Sequence, residues 1–381
     1  MFANYISAIN FLTEIFSAYC LGFKNFSTIN FQLSTMQFGI LGSGSWGTAL
    51  AKILTDNGNT IYWFNRSEAA IKHIQTRHHN PHYLPSAHFN VSQLHLTINA
   101  AEVITNSDCI IIAVPSAYAT DVLQGLDKKI FEGKKIISAI KGILPGQNLL
   151  LNDYLQKEFN VDLKNYFAVL GPCHAEEVAA EKLSYLTFSG VDEVMTAELS
   201  TYFKTDYLNT ICNNDIYGVQ YAAILKNIYA VGSGIAHGLD YGDNFLSVLI
   251  ANSADEMAGF LRELGVKNIQ VGSIDHHPTT NHQPPTTNYA ASVYLGDLLV
   301  TCYSLHSRNR SFGNIIGKGH SVKTAQIEMS MVAEGYNASK CMHIINQKVK
   351  ADMPIAETIY KILWENLPAA EGFNEIEATL V

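Results

Sequence analysis

The chain has 381 residues, of which 48% are hydrophobic and 15% are charged. Because a single hydrophobic core seldom grows beyond roughly 250–300 residues, this length predicts two domains. With 34 acidic against 25 basic side chains the formal charge is −9, which removes the electrostatic case for nucleic acid as a partner. The six cysteines lie far apart with no Cys-x-x-Cys pair, a pattern typical of reduced thiols in a cytoplasmic protein and not of a zinc site.

Residues 1–35 differ from the rest of the chain. The stretch 5–23 is apolar and aromatic, but polar residues interrupt it and no basic segment precedes it. It is therefore a poor signal peptide and a poor membrane span, with weak contact to a membrane surface as the alternative. Since a strand-like run begins at Met36, we expect residues 1–35 to form a poorly ordered extension. We expect the protein to be cytoplasmic, without stable membrane insertion.

A glycine-rich segment lies between a predicted strand at residues 38–41 and a predicted helix at residues 48–54. Its sequence is Gly42-Ser43-Gly44-Ser45-Trp46-Gly47. Gly42 allows a tight turn, Gly44 lets the backbone approach a pyrophosphate, and Gly47 lets helix and strand pack closely. Such a segment alone can mark only a turn, but the strand before it and the helix after it predict a dinucleotide-binding site.

The second predicted strand, residues 60–64, ends in Asn65-Arg66-Ser67. A dinucleotide fold places here the residue that contacts the adenosine ribose, and an Asp or Glu would bind its 2′-hydroxyl. The chain has no carboxylate at this point, whereas Arg66 and Ser67 are suited to a 2′-phosphate. The sequence therefore favours NADP(H) over NAD(H), with a solvated loop position for Arg66 as the alternative.

Three further apolar runs predict strands that alternate with helices. They lie at residues 109–114, 135–140 and 166–170. Continuous apolar runs suit a parallel sheet buried on both faces, so we predict an α/β N-terminal domain with a Rossmann-type doubly wound sheet. The turns after these runs contain Pro115-Ser116, Lys141-Gly142 and Gly171-Pro172. Because ligands bind at the carboxyl ends of such strands, we expect these turns to face cofactor and substrate.

Helical patterns replace strand patterns from about Asp215 onward, notably at residues 217–237 and 244–264. This change predicts two domains with different architectures. We expect a dinucleotide-binding domain at residues 36–214 and a mostly α-helical substrate-binding and catalytic domain at residues 215–381.

The dipeptide Lys226-Asn227 stands within an otherwise apolar stretch of the first of these helices. A desolvated lysine favours its neutral form, so it can exchange protons near neutral pH. The alternative is a lysine whose ammonium group reaches solvent along the helix surface. Lys226 is therefore a candidate acid–base residue.

A second polar cluster follows a Pro/Thr-rich loop. It comprises Gly296-Asp297, Thr301 and Ser307-Arg308-Asn309-Arg310. Arginine with serine and asparagine neighbours suits a phosphate group, although a loop held by internal hydrogen bonds is an equal alternative. Histidines of the preceding loop, such as His276 and His282, lack the further ligands and the rigid frame of a metal site, so we expect no metal.

In their order along the chain, these motifs resemble the soluble NAD(P)-dependent glycerol-3-phosphate dehydrogenases of bacteria. The resemblance runs from Met36 to about Leu367. It includes the glycine-rich segment, Ala113-Val114-Pro115-Ser116, Lys141-Gly142, Gly171-Pro172, Ala175-Glu176-Glu177-Val178-Ala179, Lys226-Asn227, Gly296-Asp297-Leu298, Ser307-Arg308-Asn309-Arg310-Ser311-Phe312-Gly313 and Ala333-Glu334-Gly335-Tyr336. It implies hydride transfer that interconverts dihydroxyacetone phosphate and sn-glycerol 3-phosphate, a supply of glycerol 3-phosphate for phospholipid synthesis, and a homodimer.

The resemblance also implies roles for single residues. Lys226 would accept the proton of the substrate C2 hydroxyl, while Asp297 and Lys141 would help to orient this lysine and the substrate. Substrate contacts would come from Lys141, Gly171, Cys173, Lys226, Asn227, Asp297, Ser307, Arg308 and Asn309. Cofactor contacts would come from Gly42, Ser43, Gly44, Ser45, Trp46, Gly47, Arg66, Lys141, Ala175, Arg308, Val332 and Glu334.

Two features depart from the family pattern. Cys173 stands where the family usually has a hydroxyl residue, which weakens one expected hydrogen bond to the substrate. The segment 275–294 is longer and richer in Pro, Thr and His than the pattern suggests. Two other functions stay open at this point. A hydroxyacid or hydroxyacyl dehydrogenase would not need Arg308 for a phosphate, and a nucleotide-binding sensor would not need Lys226.

Overall fold

The computed structural model describes residues 36–266, 292–329 and 333–381. The expectations for residues 1–35, for Val332 and for the greater part of the segment 275–294 lie outside the described residues.

Within the described ranges, eight strands form one sheet. They are β1 (Phe38–Leu41), β2 (Ile61–Phe64), β3 (Leu94–Thr97), β4 (Cys109–Ile112), β5 (Lys135–Ser138), β6 (Tyr166–Leu170), β7 (Ser184–Ser189) and β8 (Leu208–Asn213). The helices between these strands are α1 (Ser45–Asp56), α2 (Glu68–Arg77), α3 (Ala100–Thr105), α4 (Ser116–Leu123), α5 (Leu151–Phe159), α6 (Ala175–Ala179) and α7 (Glu193–Thr201).

The rest of the described chain is helical. Its helices are α8 (Ile216–Gly238), α9 (Asp243–Glu263), α10 (Asp297–Tyr303), α11 (Arg308–Gly317), α12 (Val322–Glu328), α13 (Glu334–Val349), α14 (Pro354–Trp364) and α15 (Ala369–Glu377). A π-helical turn at Ser292–Gly296 leads into α10. None of the helices described is both long and apolar enough to span a membrane.

The strand order is β3-β2-β1-β4-β5-β6-β7-β8, and every neighbouring pair is parallel except β6 and β7. The chain moves outward from β1 in one direction and then returns to continue from β4 in the other. The register pairs Leu41 with both Phe64 and Ile112, so the turns after β1, β2 and β4 meet at one edge of the sheet. Doubly wound sheets bind ligands at this switch point. The predicted fold class, a Rossmann-type sheet followed by a helical domain, is confirmed.

The strand predictions differ from the structure in two respects. The strands predicted at 109–114 and 135–140 end at Ile112 and Ser138, because the residues that follow leave the sheet and form the ligand-facing turns. The sequence patterns did not indicate β3, β7 or β8. These three are less apolar than the central strands and extend the sheet at its two sides, whereas β1 and β4 are buried along their whole length.

Helix α8 is the buried centre of the helical domain. It packs against α9, α10, α11 and α13, and most of its side chains are buried. A Cβ at Gly234 would clash with the backbone of Arg310 on α11, and one at Gly313 of α11 would clash with the backbone of Val231 on α8. These glycines let the two helices touch through their backbones. The close contact fixes the start of α11 relative to the middle of α8, where Lys226 lies.

Candidate active site at the edge of the sheet

The glycine-rich turn after β1 is packed on one side and open on the other. Gly42 has φ +135°, and a Cβ there would lie 2.5 Å from the carbonyl oxygen of Ala113. A Cβ at Gly47 would clash with the Gly42 carbonyl. Gly44 in contrast has no atom within 4 Å of the place its Cβ would take, and no side chain caps the helix α1 that it precedes. The free N–H groups of this helix start are suited to a phosphate.

Side chains from two other segments hold this turn in place. The Trp63 indole N–H donates to the Gly42 carbonyl at 2.9 Å. The buried Asn80 donates through Nδ2 to the Ser43 carbonyl at 3.0 Å and to Thr48 Oγ1 at 2.9 Å. No motif in the sequence points to Asn80. It lies in an irregular loop that carries no motif, and only the fold brings it to the turn.

A cavity of about 580 Å³ lies beside the start of α1. Its lining residues are Ser45, Arg66, His82, Tyr83, Leu84, Pro85, Ser86, Glu176 and Ala179. The exposed Arg66, at the end of β2, thus shares one cavity with Ser45 of the glycine-rich turn. Ala175, also expected to contact the cofactor, is buried at the first position of α6, directly before Glu176.

The neighbouring Trp46 also has features of a ligand-contacting residue. Its indole Nε1 is buried and has no hydrogen-bond partner among the described residues. The Lys141 ammonium lies over the ring, 5.4 Å from its centroid. An open helix start, an unpartnered indole N–H and a polar cavity beside them fit a dinucleotide.

Lys226 and Asp297 form a buried ion pair that joins α8 to α10. Lys226 Nζ contacts Asp297 Oδ1, and the two side chains are 4% and 2% exposed. The lysine therefore does not reach solvent, which was the alternative left open by the sequence. Burial lowers the pKa of Lys226 to about 8, because the Asp297 charge offsets the lost hydration only in part and the Lys141 charge opposes protonation. Asp297 Oδ2 has no partner among the described residues.

A chain of side-chain amides connects the sheet edge to the helical domain. Asn227 donates through Nδ2 to the Lys141 carbonyl at 3.1 Å, and its Oδ1 accepts from Asn309 Nδ2 at 2.8 Å. Asn309 Oδ1 in turn accepts from the backbone N–H of Gly335 at 2.9 Å. The chain holds the turn after β5, and with it Lys141, against the helix that carries Lys226.

The turn after β6 contributes Gly171 and Cys173. Gly171 has φ +142°, and a Cβ there would lie 2.8 Å from the Tyr185 carbonyl, so a side chain is excluded. Cys173 is buried, and burial raises the pKa of its thiol to about 12 even though Lys141 acts in the opposite direction. The thiol stays protonated at neutral pH and offers only a weak hydrogen-bond donor. The charges of Lys141 and Asp297 both act on it, which places the turn beside the ion pair.

Ser307, Arg308 and Asn309 come together at the start of α11. Ser307 Oγ caps this helix and accepts from the Arg310 N–H at 3.3 Å. Arg308 is exposed, and its charge lowers the pKa of Glu334, so the two side chains lie near each other. The predicted cluster is therefore assembled, but the hydroxyl of Ser307 and the amide of Asn309 have partners within the protein.

Glu334, in the helical domain, forms hydrogen bonds with Ser116 of the sheet domain. Its carboxylate accepts from the Ser116 backbone N–H at 3.1 Å and from the Ser116 hydroxyl at 2.6 Å. Burial raises the pKa of Glu334, while the two bonds from Ser116 act in the opposite direction. Because Ser116 is the first residue of α4, the carboxylate also lies at the positive end of that helix.

Comparisons with known proteins agree with these observations. A family model described as NAD-dependent glycerol-3-phosphate dehydrogenase N-terminus matches residues 37–195, and the corresponding C-terminus model matches residues 215–374. A glycerol-3-phosphate dehydrogenase (NAD(P)+) of Enterococcus faecalis is 33% identical over 339 residues, which cover 88% of this chain and 94% of that protein. The chain belongs to the NAD-dependent glycerol-3-phosphate dehydrogenase family.

Other members of this family are similarly close. The glycerol-3-phosphate dehydrogenase (NAD(P)+) of Bacillus anthracis is 34% identical over 327 residues, or 85% of this chain and 90% of that protein. The crystal structure of glycerol-3-phosphate dehydrogenase from Coxiella burnetii has a TM-score of 0.78 at 26% identity, and covers 90% of this chain and 99% of that chain. Family membership confirms the resemblance drawn from the motifs and the assignment to the NAD(P)-dependent oxidoreductases.

The site of this family member draws on both halves of the chain. Lys141 lies in the part matched by the N-terminus model, and Lys226 and Asp297 lie in the part matched by the C-terminus model. His174 lies near these residues, since the charges of Lys141 and Lys226 both lower the pKa of its ring. His174 is not among the site residues expected from the sequence. Its position in the turn that follows a central strand, two residues after Pro172, was the signal that could have identified it.

Proposed function

We propose that this protein interconverts dihydroxyacetone phosphate and sn-glycerol 3-phosphate with a nicotinamide cofactor. The observation that carries the proposal is the buried Lys226–Asp297 ion pair, with a second lysine, Lys141, held beside it. A buried lysine with a pKa of about 8 is suited to proton exchange with a substrate near neutral pH.

Residues of the sheet edge would hold the cofactor. The open start of α1 after Gly44, with Ser45 and Trp46, suits the pyrophosphate, and Arg66 suits the adenosine end. When bound, the nicotinamide supplies or accepts the hydride at the substrate C2 carbon.

Lys226 would move the proton that accompanies the hydride. In ketone reduction the protonated Nζ donates to the C2 oxygen, and in the reverse reaction the neutral Nζ accepts from the C2 hydroxyl. Asp297 holds the ammonium through Oδ1 and, by its charge, keeps the protonated form accessible. Lys141 places a second positive charge near the oxygen on which negative charge develops.

The start of α11 would bind the substrate phosphate. Arg308 is exposed there and offers a forked pair of donors, and the helix start adds backbone N–H groups. Asn309 would act mainly by holding Asn227, because its amide is already hydrogen-bonded to that residue and to Gly335. Held at this end, the substrate keeps its C2 carbon aligned with Lys226.

We further propose several properties that these residues support less directly. The absence of a carboxylate in the segment 65–67 supports NADP(H) over NAD(H) as the preferred cofactor. The end of β8 at Asn213 and the start of α8 at Ile216 support a domain boundary between residues 214 and 215. The free thiols of the described cysteines support a cytoplasmic location. A homodimer and a role in phospholipid synthesis are carried over from the family resemblance.

The decisive experiment is NADPH oxidation by the purified full-length chain. Dihydroxyacetone phosphate is compared with unphosphorylated dihydroxyacetone, and NADPH with NADH. Rapid oxidation with the phosphorylated ketone alone supports the reaction and the phosphate requirement together. Tight NADPH binding without oxidation of either compound overturns the proposed reaction and favours a sensor or another substrate.

Arg66→Ser, with Arg77→Ser as its matched control, tests the cofactor preference. Arg77 is exposed in the last turn of α2 and does not line the cavity. Loss of a charge-assisted hydrogen bond to a 2′-phosphate is expected to raise the KM for NADPH by about 10–100-fold with little change for NADH. Equal effects of Arg66→Ser on the two cofactors would contradict the preference.

A further inference from the structure

Two buried polar atoms at or near the Lys226–Asp297 ion pair have no hydrogen-bond partner among the described residues. They are Asp297 Oδ2 and His174 Nε2. An unpartnered buried polar atom costs roughly 1–3 kcal/mol, so folds rarely keep one without a use. The charges of Lys141, Lys226 and Asp297 all act on the His174 ring, which therefore lies near the ion pair.

Hydrogen bonds hold the backbone of His174 in place. The residue follows the turn after β6 and directly precedes α6, and its carbonyl accepts from the N–H groups of Glu177 at 3.1 Å and Val178 at 3.0 Å. The ring centroid is 6.3 Å from that of His306, in the loop before Ser307. The imidazole thus lies near both the ion pair and the start of α11.

The surroundings of His174 also fix its protonation state. Burial lowers the pKa of His174, and the charges of Lys141 and Lys226 lower it further, while Asp297 and Glu176 act in the opposite direction. At neutral pH the ring is therefore uncharged, with one nitrogen that donates and one that accepts. Such a group is matched to a hydroxyl, which also donates and accepts, and not to a phosphate.

We propose that His174 is a specificity-determining residue whose Nε2 forms a hydrogen bond with the terminal hydroxyl of the triose phosphate. The inference rests on the proposed function. In that reaction the C2 oxygen is taken by the lysines and the phosphate by Arg308, so the terminal hydroxyl is the one polar group of the substrate still without a partner. The hydroxyl oxygen would accept from Nε2–H and the hydroxyl hydrogen would be donated to Asp297 Oδ2, so one substrate group would satisfy both unpartnered atoms.

The test compares two substrates on three variants of the full-length chain. The substrates are dihydroxyacetone phosphate and hydroxyacetone phosphate, which has a methyl group in place of the terminal hydroxymethyl. His174→Ala is expected to lower kcat/KM for dihydroxyacetone phosphate by about 10–100-fold and to change that for hydroxyacetone phosphate by less than about threefold. His174→Gln, which can place an amide nitrogen near the position of Nε2, is expected to restore part of the loss. His306→Ala, the matched control, should change kcat/KM by the same factor for both substrates.

Calorimetric binding of sn-glycerol 3-phosphate and of its analogue without the terminal hydroxyl provides a second measurement that does not depend on turnover. His174→Ala should weaken binding of the first ligand and leave that of the second. Equal losses for both ligands, or wild-type values throughout, would overturn the proposal. If His174→Ala does not fold, two other results would overturn the proposal. One is equal kcat/KM values of the wild-type enzyme for the two substrates, and the other is an equal loss of kcat/KM on both substrates in His174→Gln. Failure of the proposed function is distinct, since the wild-type protein would then oxidise NADPH with neither ketone.

Discussion

Two buried ionisable pairs lie on the same helix, α8, and differ in how completely the protein satisfies them. Lys226 contacts Asp297, whose second oxygen has no partner among the described residues. About one turn away, the Tyr229 hydroxyl donates to Glu256 at 3.0 Å, and Glu256 also accepts from the backbone N–H groups of Ile355 at 2.8 Å and Ala356 at 2.9 Å.

The Tyr229–Glu256 pair therefore stabilises the fold. Its carboxylate sits at the start of α14 and ties that helix to α9 and, through Tyr229, to α8. The Lys226 pair leaves bonding capacity that only a further molecule can use. Burial favours the uncharged form of each group: it lowers the pKa of Lys226 to about 8 and raises the pKa of Glu256 to about 7. The pKa shift alone does not separate the two pairs, whereas the number of hydrogen-bond partners that each carboxylate has does.

The largest effect is expected from Lys226→Met. Loss of the acid–base group should lower kcat by about 10²–10⁴-fold while NADPH binding, followed by fluorescence, is retained. Met keeps the chain length but leaves Asp297 without its cation, so the melting temperature is measured alongside. The exposed Lys318→Met serves as control and should keep full activity. A kcat within about threefold of wild type would refute the role of Lys226.

The comparison also shows what the sequence can predict. Lys226 was recognisable because a charged residue interrupts an apolar helix, and the glycine-rich turn because its backbone requirements are local. Glu256 was not, since Asp255-Glu256 resembles a solvated acidic face. Only the packing of α9 buries Glu256 and leaves the side chain of Asp255 88% exposed.

Residues that act through distant partners were predicted incompletely for the same reason. Asp297 was expected near Lys226 from the family resemblance, but its unpartnered oxygen is a property of the assembled pocket. Asn80 lies in a loop without a motif, and the position of His174 after a strand does not show which charged groups surround its ring. The central strands were predicted because continuous apolar runs are typical of strands buried on both faces of a parallel sheet. In contrast, β3 is an outermost strand of the sheet and contains both apolar and polar residues.

The second prediction concerns the pH dependence of the two reaction directions. Ketone reduction needs protonated Lys226, so its kcat/KM should fall above about pH 8, by about tenfold per pH unit. Oxidation of glycerol 3-phosphate needs the neutral lysine, so its kcat/KM should rise with pH up to about pH 8. Asp297→Asn removes the charge that raises the pKa of Lys226, so both limbs should move to lower pH. If the two pH profiles of Asp297→Asn do not shift, a group other than Lys226 controls the pH dependence.

The third prediction is that Glu256→Gln destabilises the protein in a pH-dependent manner. The amide nitrogen of Gln cannot accept from a backbone N–H, whereas both oxygens of a protonated carboxyl group keep lone pairs, so at about pH 5 the melting temperature should fall by several degrees, for a cost of about 1–3 kcal/mol. Burial and the nearby Asp352 raise the pKa of Glu256 to about 7, so the folded state holds this proton more tightly than the unfolded chain. The advantage of Glu256 over Gln is therefore full below about pH 4.5, the ordinary pKa of a glutamate, and declines as the pH rises from there to about 7.

The control for that prediction is Asp255→Asn, which changes an exposed neighbour in the same way. It should leave the melting temperature unchanged at every pH. Turnover per folded molecule should be close to wild type in both variants. A deficit of Glu256→Gln that grows with rising pH would mean that the carboxylate, and not the neutral acid, is the form that the fold prefers.

The smallest effect is expected from Tyr229→Phe, which tests whether the two pairs are independent. Removal of one hydroxyl donor should cost about 1 kcal/mol and lower the melting temperature by about 1–3 °C, because Glu256 Oε1 still accepts from Ala356. Turnover should stay within about twofold of wild type although Lys226 is only one turn away. Tyr221→Phe, on the same helix, is the matched control. If Tyr229→Phe instead lowered turnover as far as Lys226→Met does, α8 would transmit the state of one pair to the other, and the satisfied pair could no longer be assigned to the fold alone.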